Sequence, residues 1–322
     1  MKNVRKALIN NDRFLLAGHI NPDGDTLGSC FALGLALKQM GKDVAVLLEP
    51  YSSSLEIVPG KELLSDSTYE FSTDTVCIAL DCASIERLGN SKTYFEKADI
   101  TICIDHHASN EGWAKYNLIE PNASSTAEIV YRTIEPITEI GIDIATAIYA
   151  GMVTDTGGFR YNATAKSTME IAAKLMETGI SFTEVYNELM HMHKFLEGKA
   201  LGIALSNSNL TQDGKIVYSY VEANTLKEIG AKSQNLEGSV EYLMGTRDAL
   251  IAVLVYERST VEEVKVSLRS KGPNVGNIAT KLGGGGHKLA AGATSYKNVK
   301  QTLDLALEYA VQELKEWQTS QE

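Results

Sequence analysis

Apolar residues in this chain follow two rhythms, and the order of those rhythms predicts the architecture. Short, nearly unbroken apolar runs recur in the first half: "RFLLAG" from Arg13, "DVAVLL" from Asp43, "TVCIAL" from Thr75 and "ITICI" from Ile100. Runs without polar alternation suit strands of a parallel sheet covered on both faces. Between them, "TLGSCFALGLALKQMG" carries apolar residues at helical spacing and closes on Gly41. Further helices are expected over Thr126 to Ile134 and Ile144 to Val153. Strands alternating with helices predict an α/β fold built on a doubly wound parallel sheet.

The rhythm changes after about Ser181. "FTEVYNELMHMHKFLEGKALGIAL" is helical with polar interruptions and reads as a connector. Beyond it, "GKIVYSYVE", "ALIAVLVYE" and "EEVKVSLRS" have strand length, with short helices between them. The last segment places Leu303, Leu307, Ala310 and Leu314 at helical spacing, so it is amphipathic. The expected organisation is a first domain over 1–183, a helical connector over 184–209 and a smaller mixed α/β domain over 210–322. No internal repeat or low-complexity tract interrupts it.

Composition narrows the functional classes. A chain of 322 residues is long enough for two domains that each bury a core. Its formal net charge of −11 argues against a surface that grips long nucleic acid, which needs a broad basic face. A nucleic-acid substrate is therefore expected to be short, or held by a local basic pocket. Cys30, Cys77, Cys82 and Cys103 show no C-x-x-C pairing and read as buried apolar residues in a reducing compartment. The N-terminal Lys2, Arg5 and Lys6 precede an apolar stretch too short for a signal peptide, and no run approaches a membrane span. A cytoplasmic protein without a membrane partner is expected.

The acids and imidazoles fall at the ends of the predicted elements. "AGHINPDGDTLGS" puts His19, Asp23 and Asp25 after the first strand, and "CIALDCAS" puts Asp81 after another. "ICIDHH" puts Asp105, His106 and His107 after a third, while "GMVTDTGGFRY" puts Asp155 after an apolar helix, in a Gly-rich loop. In an open parallel sheet the carboxyl ends of strands line one crevice. Carboxylates gathered there repel one another and raise each other's pKa unless a cation compensates. A carboxylate-rich set with imidazole and no thiolate suits Mn²⁺ or Mg²⁺, and there are ligands enough for two ions. Two-metal sites serve phosphoryl chemistry. Taken singly, each feature has a plainer reading: "DGD" as a turn, an Asp after a strand as a helix cap, His106 and His107 as a hydrogen-bonded pair. Together those readings leave three His and five Asp at the same element ends unexplained.

Four consecutive glycines, Gly283 to Gly286, lie in "RSKGPNVGNIATKLGGGGHKLAAG" and let backbone N–H groups approach an anion, unless they form a flexible linker. Arg269 can fork onto a phosphate or stack on a base, and Lys271 and His287 add charge or donors. Arg160 is open to a phosphate contact or a surface ion pair. His191 and His193, two apart, point to different sides of a helix and read as solvated. Ser124 and Ser125, with Glu128 behind them, read as a helix cap.

The motifs as a set resemble the DHH phosphoesterase superfamily: His19-x-x-x-Asp23-x-Asp25, the isolated Asp81, the literal "DHH" at 105–107, and Asp155 in "VTDTGGFR". The later "RSKGP" and "GGGGHKLAAG" resemble its DHH-associated C-terminal domain, so the likeness spans nearly the whole chain. The resemblance implies one metal on His19, Asp23 and Asp81 and a second on Asp25, Asp81, His106 and Asp155, with Asp81 bridging. It implies two Mn²⁺, with Mg²⁺ or Co²⁺ as alternatives, and a water between the ions as nucleophile. Asp105 then orients the histidines, and His107 faces the substrate phosphate as donor or general acid. Arg269, Lys271, Gly283, Gly284, Gly285, Gly286 and His287 bind substrate, and the active site lies in the cleft between the domains. Within the superfamily the chain is similar to the NrnA-like branch. That implies hydrolysis of short oligoribonucleotides, of 3′-phosphoadenosine 5′-phosphate, or of both. Cyclic di-AMP or pApA hydrolysis is the alternative, and a non-catalytic nucleotide sensor is the reading from another class. A homodimer is left open.

Overall fold

The computed structural model describes residues 1–65, 69–258 and 263–321. Glu262 and Glu322, inside segments read above, lie outside the described residues. The chain divides into two compact units, Met1–Met192 and His193–Glu322. Among the described residues, no helix is long and apolar enough to cross a membrane.

The first unit runs α1 (Lys2–Asn10), β1 (Arg13–Ala17), α2 (Gly24–Gln39), β2 (Asp43–Leu47), β3 (Val76–Leu80), α3 (Lys92–Phe95), β4 (Ile100–Asp105) and β5 (Tyr116–Ile119). It then continues through α4 (Thr126–Ile134), α5 (Ile142–Asp155), α6 (Lys166–Glu177) and α7 (Phe182–Met190). Among the described residues its five strands are all parallel, in the order β2-β1-β3-β4-β5. Successive strand residues alternate between two buried faces, which is why the runs are apolar throughout. Phe14, Leu16, Val76 and Ile78 pack toward α2, α4 and α5, while Leu15, Ala17, Cys77 and Ala79 face Cys82, Leu88 and Phe95. All four cysteines are free and buried. The chain adds strands outward in opposite directions from β1 and β3, so the loops that leave these two strands part and open a crevice at the sheet's carboxyl edge.

Three local details differ from the sequence expectation. α2 begins at Gly24, because the Asp23 carboxylate accepts from the N–H groups of Asp25 (3.1 Å) and Thr26 (3.0 Å). Asp25 therefore sits in the first helical turn rather than in a loop. α5 extends to Asp155 and is capped by Thr156, whose hydroxyl donates back to the Met152 carbonyl, so Asp155 ends the helix instead of following it. His191 is the C-cap of α7 and His193 lies in irregular chain before the next helix, so the two do not share a helix.

The second unit runs α8 (Phe195–Ser206), β6 (Asn209–Leu210), β7 (Ile216–Val221), α9 (Ala223–Glu228), α10 (Ser239–Met244), β8 (Ile251–Glu257) and β9 (Val264–Ser270). It closes with α11 (Val275–Lys281), β10 (Gly285–Gly286), β11 (Ala290–Ser295) and α12 (Val299–Thr319). Among the described residues its six strands lie in the order β10-β11-β9-β8-β7-β6, antiparallel except for β7 beside β8. One face buries Val253, Val255, Val266 and Leu268 with α11 and α12. The other buries Val217, Ala252 and Leu254 with residues of α8, α9 and α10. This is the smaller mixed α/β unit expected from the pattern.

Candidate metal centre and anion-binding residues

Four segments deliver polar side chains to the crevice edge of the first sheet. His19 follows β1, Asp23 and Asp25 open α2, Asp81 follows β3, Asp105 ends β4 with His106 and His107 behind it, and Asp155 ends α5. Their ligand atoms converge in three groups, each with donors within 4.8 Å of one another: His19, Asp23 and Asp81; Asp25, His106 and Asp155; and Asp81, His106 and His107. His19 Nε2 stands 3.5 Å from Asp81 Oδ2 and 3.7 Å from Asp23 Oδ2. His106 Nε2 stands 3.2 Å from Asp155 Oδ2 and 3.8 Å from Asp81 Oδ1. Asp81 is thus common to two of the groups and reaches both imidazoles.

The imidazoles are prepared as ligands by their other nitrogens. His19 Nδ1 lies 2.7 Å from the Ile20 carbonyl and His106 Nδ1 lies 3.4 Å from the Ala123 carbonyl. A carbonyl only accepts, so each Nδ1 carries the hydrogen, and in the neutral ring each Nε2 presents a lone pair to the cluster. His107 is turned the other way. Its Nδ1 meets Asp105 Oδ1 at 2.8 Å, leaving Nε2 directed away from Asp105 on a side chain 43% exposed.

The carboxylates are equally constrained. Asp23 caps α2 with Oδ1 and offers Oδ2 toward His19, so the cap reading and the ligand reading apply to different oxygens of one side chain. Asp25 accepts from the N–H groups of Thr126 (2.7 Å) and Ala127 (2.9 Å), which open α4, and the helix dipole adds to that orientation. Asp81 accepts from the Thr26 hydroxyl at Oδ2 (2.8 Å) and the Thr126 hydroxyl at Oδ1 (3.2 Å). Its backbone takes φ 57°, a left-handed conformation that costs a non-glycine residue about 1 kcal/mol. Glycine would relieve that strain but carry no carboxylate, and strain of this kind gathers at functional sites.

Electrostatics supplies the fit test for a cation. Asp25 and Asp81 are almost fully buried, and His19 nearly so. Burial, with the negative charges of Asp81 and Asp155 beside it, pushes the Asp25 carboxyl well above the usual range. Asp155 is raised to about 6, chiefly by burial and by Asp81, against the pull of His106. Burial opposes a charge on His19, but Asp23 and Asp81 outweigh it and raise the imidazole to about 10. Every one of these shifts brings positive charge or a proton into the cluster. Oxygen-rich donors with two imidazole nitrogens and no thiolate fit hard divalent cations such as Mn²⁺ or Mg²⁺, which supply that charge directly.

Thr26, Thr126 and Asn110 also reach this cluster, and sequence reading missed them. Asn110 lies three residues past His107, and its amide donates to Asp105 Oδ2 at 2.7 Å. The only signal was proximity to the motifs, because a Thr beside an acid reads first as helix-start chemistry. Ser124 and Ser125 do serve α4. Ser125 caps it, and Ser124 holds the buried Glu128 carboxylate together with Ser167 and Thr168.

In the second unit the residues picked out from sequence lie at the end of β9 and in and beside β10, which pairs with β11. Arg269 pairs in register with Ala290, and His287 N–H donates to the Ala290 carbonyl (2.8 Å). The Arg269 guanidinium is held by Glu241 (Nε–Oε1 2.8 Å) and Lys271 Nζ donates to the Thr246 carbonyl (2.7 Å). The glycine run forms part of a hairpin rather than a linker. Gly283 and Gly284 donate to the Thr280 and Ala279 carbonyls, while β10 pairs Gly285 with Gly292 and Gly286 with Ala291. A Cβ at Gly284 would collide with the Gly292 carbonyl, so the close approach of the two strands itself requires glycine there. Arg160 Nε donates to the Gly157 carbonyl (3.0 Å) and the guanidinium lies over the Tyr161 ring.

The chain is similar to known proteins over most of its length. The sequence profile of the DHH family, N-terminal domain, matches residues 13–152, and that of the DHHA1 domain matches residues 213–317. A Thermus thermophilus protein named bifunctional oligoribonuclease and PAP phosphatase NrnA is 32% identical, over 87% of this chain and 83% of its own. The Bacillus subtilis protein of the same name is 28% identical, over 88% and 90%. Among solved structures, an exopolyphosphatase-related protein from Bacteroides fragilis superposes with a TM-score of 0.86 at 26% identity, covering 98% of this chain and 95% of that one.

Proposed function

This chain belongs to the DHH family of metal-dependent phosphoesterases, and on that premise we propose that it hydrolyses short oligoribonucleotides to mononucleotides and 3′-phosphoadenosine 5′-phosphate to AMP. The reading is carried by one observation, the convergence of His19, Asp23, Asp25, Asp81, His106 and Asp155 into ligand groups that share Asp81 and His106. Two divalent cations would be held, one by His19, Asp23 and Asp81, the other by Asp25, His106 and Asp155 with Asp81 beside them. Bound there, such ions supply positive charge to the phosphate oxygens and lower the pKa of water at the site.

The protein's own groups do the rest. The Thr26 and Thr126 hydroxyls fix the Asp81 carboxylate from both sides. α4's first N–H groups hold Asp25 at a set angle. His107, tethered through Nδ1 to Asp105, offers Nε2–H to the leaving oxygen as a general acid. Arg269, Lys271, His287 and the glycine hairpin bind the nucleotide's phosphate or base. Arg269 then exchanges the Glu241 carboxylate for substrate, a trade its forked guanidinium suits. The names of the Thermus and Bacillus relatives support this choice of substrates over pyrophosphate or long strands.

The test is a panel with manganese present: RNA of two to five nucleotides, pApA, cyclic di-AMP, 3′-phosphoadenosine 5′-phosphate and pyrophosphate. Mononucleotide release from short RNA and phosphate release from the bisphosphate are expected, with pyrophosphate untouched. Nucleotide binding without hydrolysis of any substrate, with the cations bound, would make this a sensor instead.

A further inference from the structure

We propose that Asn110 is a positioning residue that fixes His107 for proton delivery by clamping Asp105 to the turn after Asp81. The inference rests on the phosphoesterase reading above. Asn110 is 8% exposed, and its side chain bonds on every side. Its amide donates to Asp105 Oδ2 (2.7 Å) and to the Cys82 carbonyl (3.3 Å), and its own carbonyl accepts from the Gly112 N–H (2.9 Å). One side chain therefore ties together the loop that carries the two histidines and the peptide that follows Asp81.

The consequence runs through Asp105, which is fully buried. Its Oδ1 accepts from the His106 N–H (2.9 Å), the His107 N–H (3.3 Å) and His107 Nδ1 (2.8 Å). Only Asn110 supplies a side-chain donor to Oδ2 among the described hydrogen bonds. A carboxylate held at both oxygens cannot swing about its χ2, so the imidazole on Oδ1 is held in one rotamer. In the proposed step the Nε2–H proton of His107 moves to the leaving oxygen as the P–O bond breaks. The ring is left neutral, with its remaining hydrogen on Nδ1 still bonded to Asp105. Loss of the Asn110 clamp frees Asp105 and lets His107 turn away from that oxygen.

A purely structural role has a control on the same loop. Trp113 Nε1 also donates to the Cys82 carbonyl (3.2 Å) but forms no bond to Asp105 among the described ones. Asn110→Ala should lower kcat for pApA by about 10- to 100-fold, the usual scale for losing a support behind a reacting group, with KM changed much less. A p-nitrophenyl ester of 5′-AMP has a leaving group that needs no proton, so on it the variant should lose less than about threefold. Trp113→Phe should keep the wild-type ratio between the two substrates. In ¹³C-histidine protein with Mg²⁺, the single His107 Cε1 resonance of wild type should broaden or double in Asn110→Ala. Should the alanine variant not fold, Asn110→Ser leaves Gly112 a partner, is too short to reach Asp105, and carries the same expectations. Equal losses on both substrates, or an unchanged His107 resonance, overturn the proposal. Failure of wild type on both substrates would instead overturn the phosphoesterase reading, and the resonance would still decide the positioning role.

Discussion

Asp81→Asn is expected to lower turnover on the order of 10³-fold while the metal-free protein melts at or above the wild-type temperature. Both halves come from one geometry. Asp81 reaches His19 and His106, belongs to two of the three ligand groups, and is held by two threonine hydroxyls. An amide keeps its shape and its hydroxyl partners but brings no charge to neutralise a cation. Without metal, the same charge attracts the His19 imidazolium but repels two carboxylates, and the two repulsions set the expected sign. The Asp81 charge helps push Asp25 and Asp155 upward, and its removal lets those two ionise with less repulsion. Calorimetry of chelated protein and steady-state turnover with Mn²⁺ check the two halves. A variant that melts several degrees lower without metal would mean that Asp81 serves packing rather than ligation.

Gly28→Ala is expected to cost about 2–3 kcal/mol of stability and most of the activity together. Gly28 lies where α2 crosses α5, and a methyl there would collide with the Ala147 carbonyl and come within 2.9 Å of the Gly151 nitrogen. The contact is backbone, so no side chain can rotate aside. The helices must separate, and these two carry Asp25 and Asp155 to the cluster. Gly151 faces Gly28 across the same crossing, with its added methyl 2.9 Å from Asp25 Oδ1 and 2.6 Å from the Ala127 Cβ. Thermal melting should show the stability loss, and activity well below the melting range should show the displaced ligands. A variant that is less stable but fully active at low temperature would separate the crossing from the site.

The fold was legible because its signal is written in the strands themselves. β1, β3 and β4 are apolar on both faces, a pattern that a covered parallel sheet needs, and His19 and Asp81 follow the first two within two residues while Asp105 closes the third. The metal-binding candidates were legible for the same reason, since their type and their place at strand ends coincide. Asp25 and Asp155 were placed in loops because sequence spacing locates a helix boundary only through its cap. Here Asp23 sets α2's start earlier and Thr156 sets α5's end later than the apolar periodicity alone indicates. Thr26, Thr126 and Asn110 left no trace in any periodicity. Their partners lie 55, 45 and 5 positions away, and only the folded chain brings hydroxyl or amide to carboxylate. Arg269 was readable as a basic group but not as one already paired, because Glu241 stands 28 positions away on another element.

Equilibration with excess Mn²⁺, removal of the free ion, and electron paramagnetic resonance with metal analysis test the cluster most directly. Two manganese ions per chain with a spin-coupled spectrum are predicted for wild type, with the coupling lost in Asp81→Asn. Wild-type protein that retains no manganese, or an Asp81→Asn spectrum identical to that of wild type, would contradict a pair of cations joined through that carboxylate.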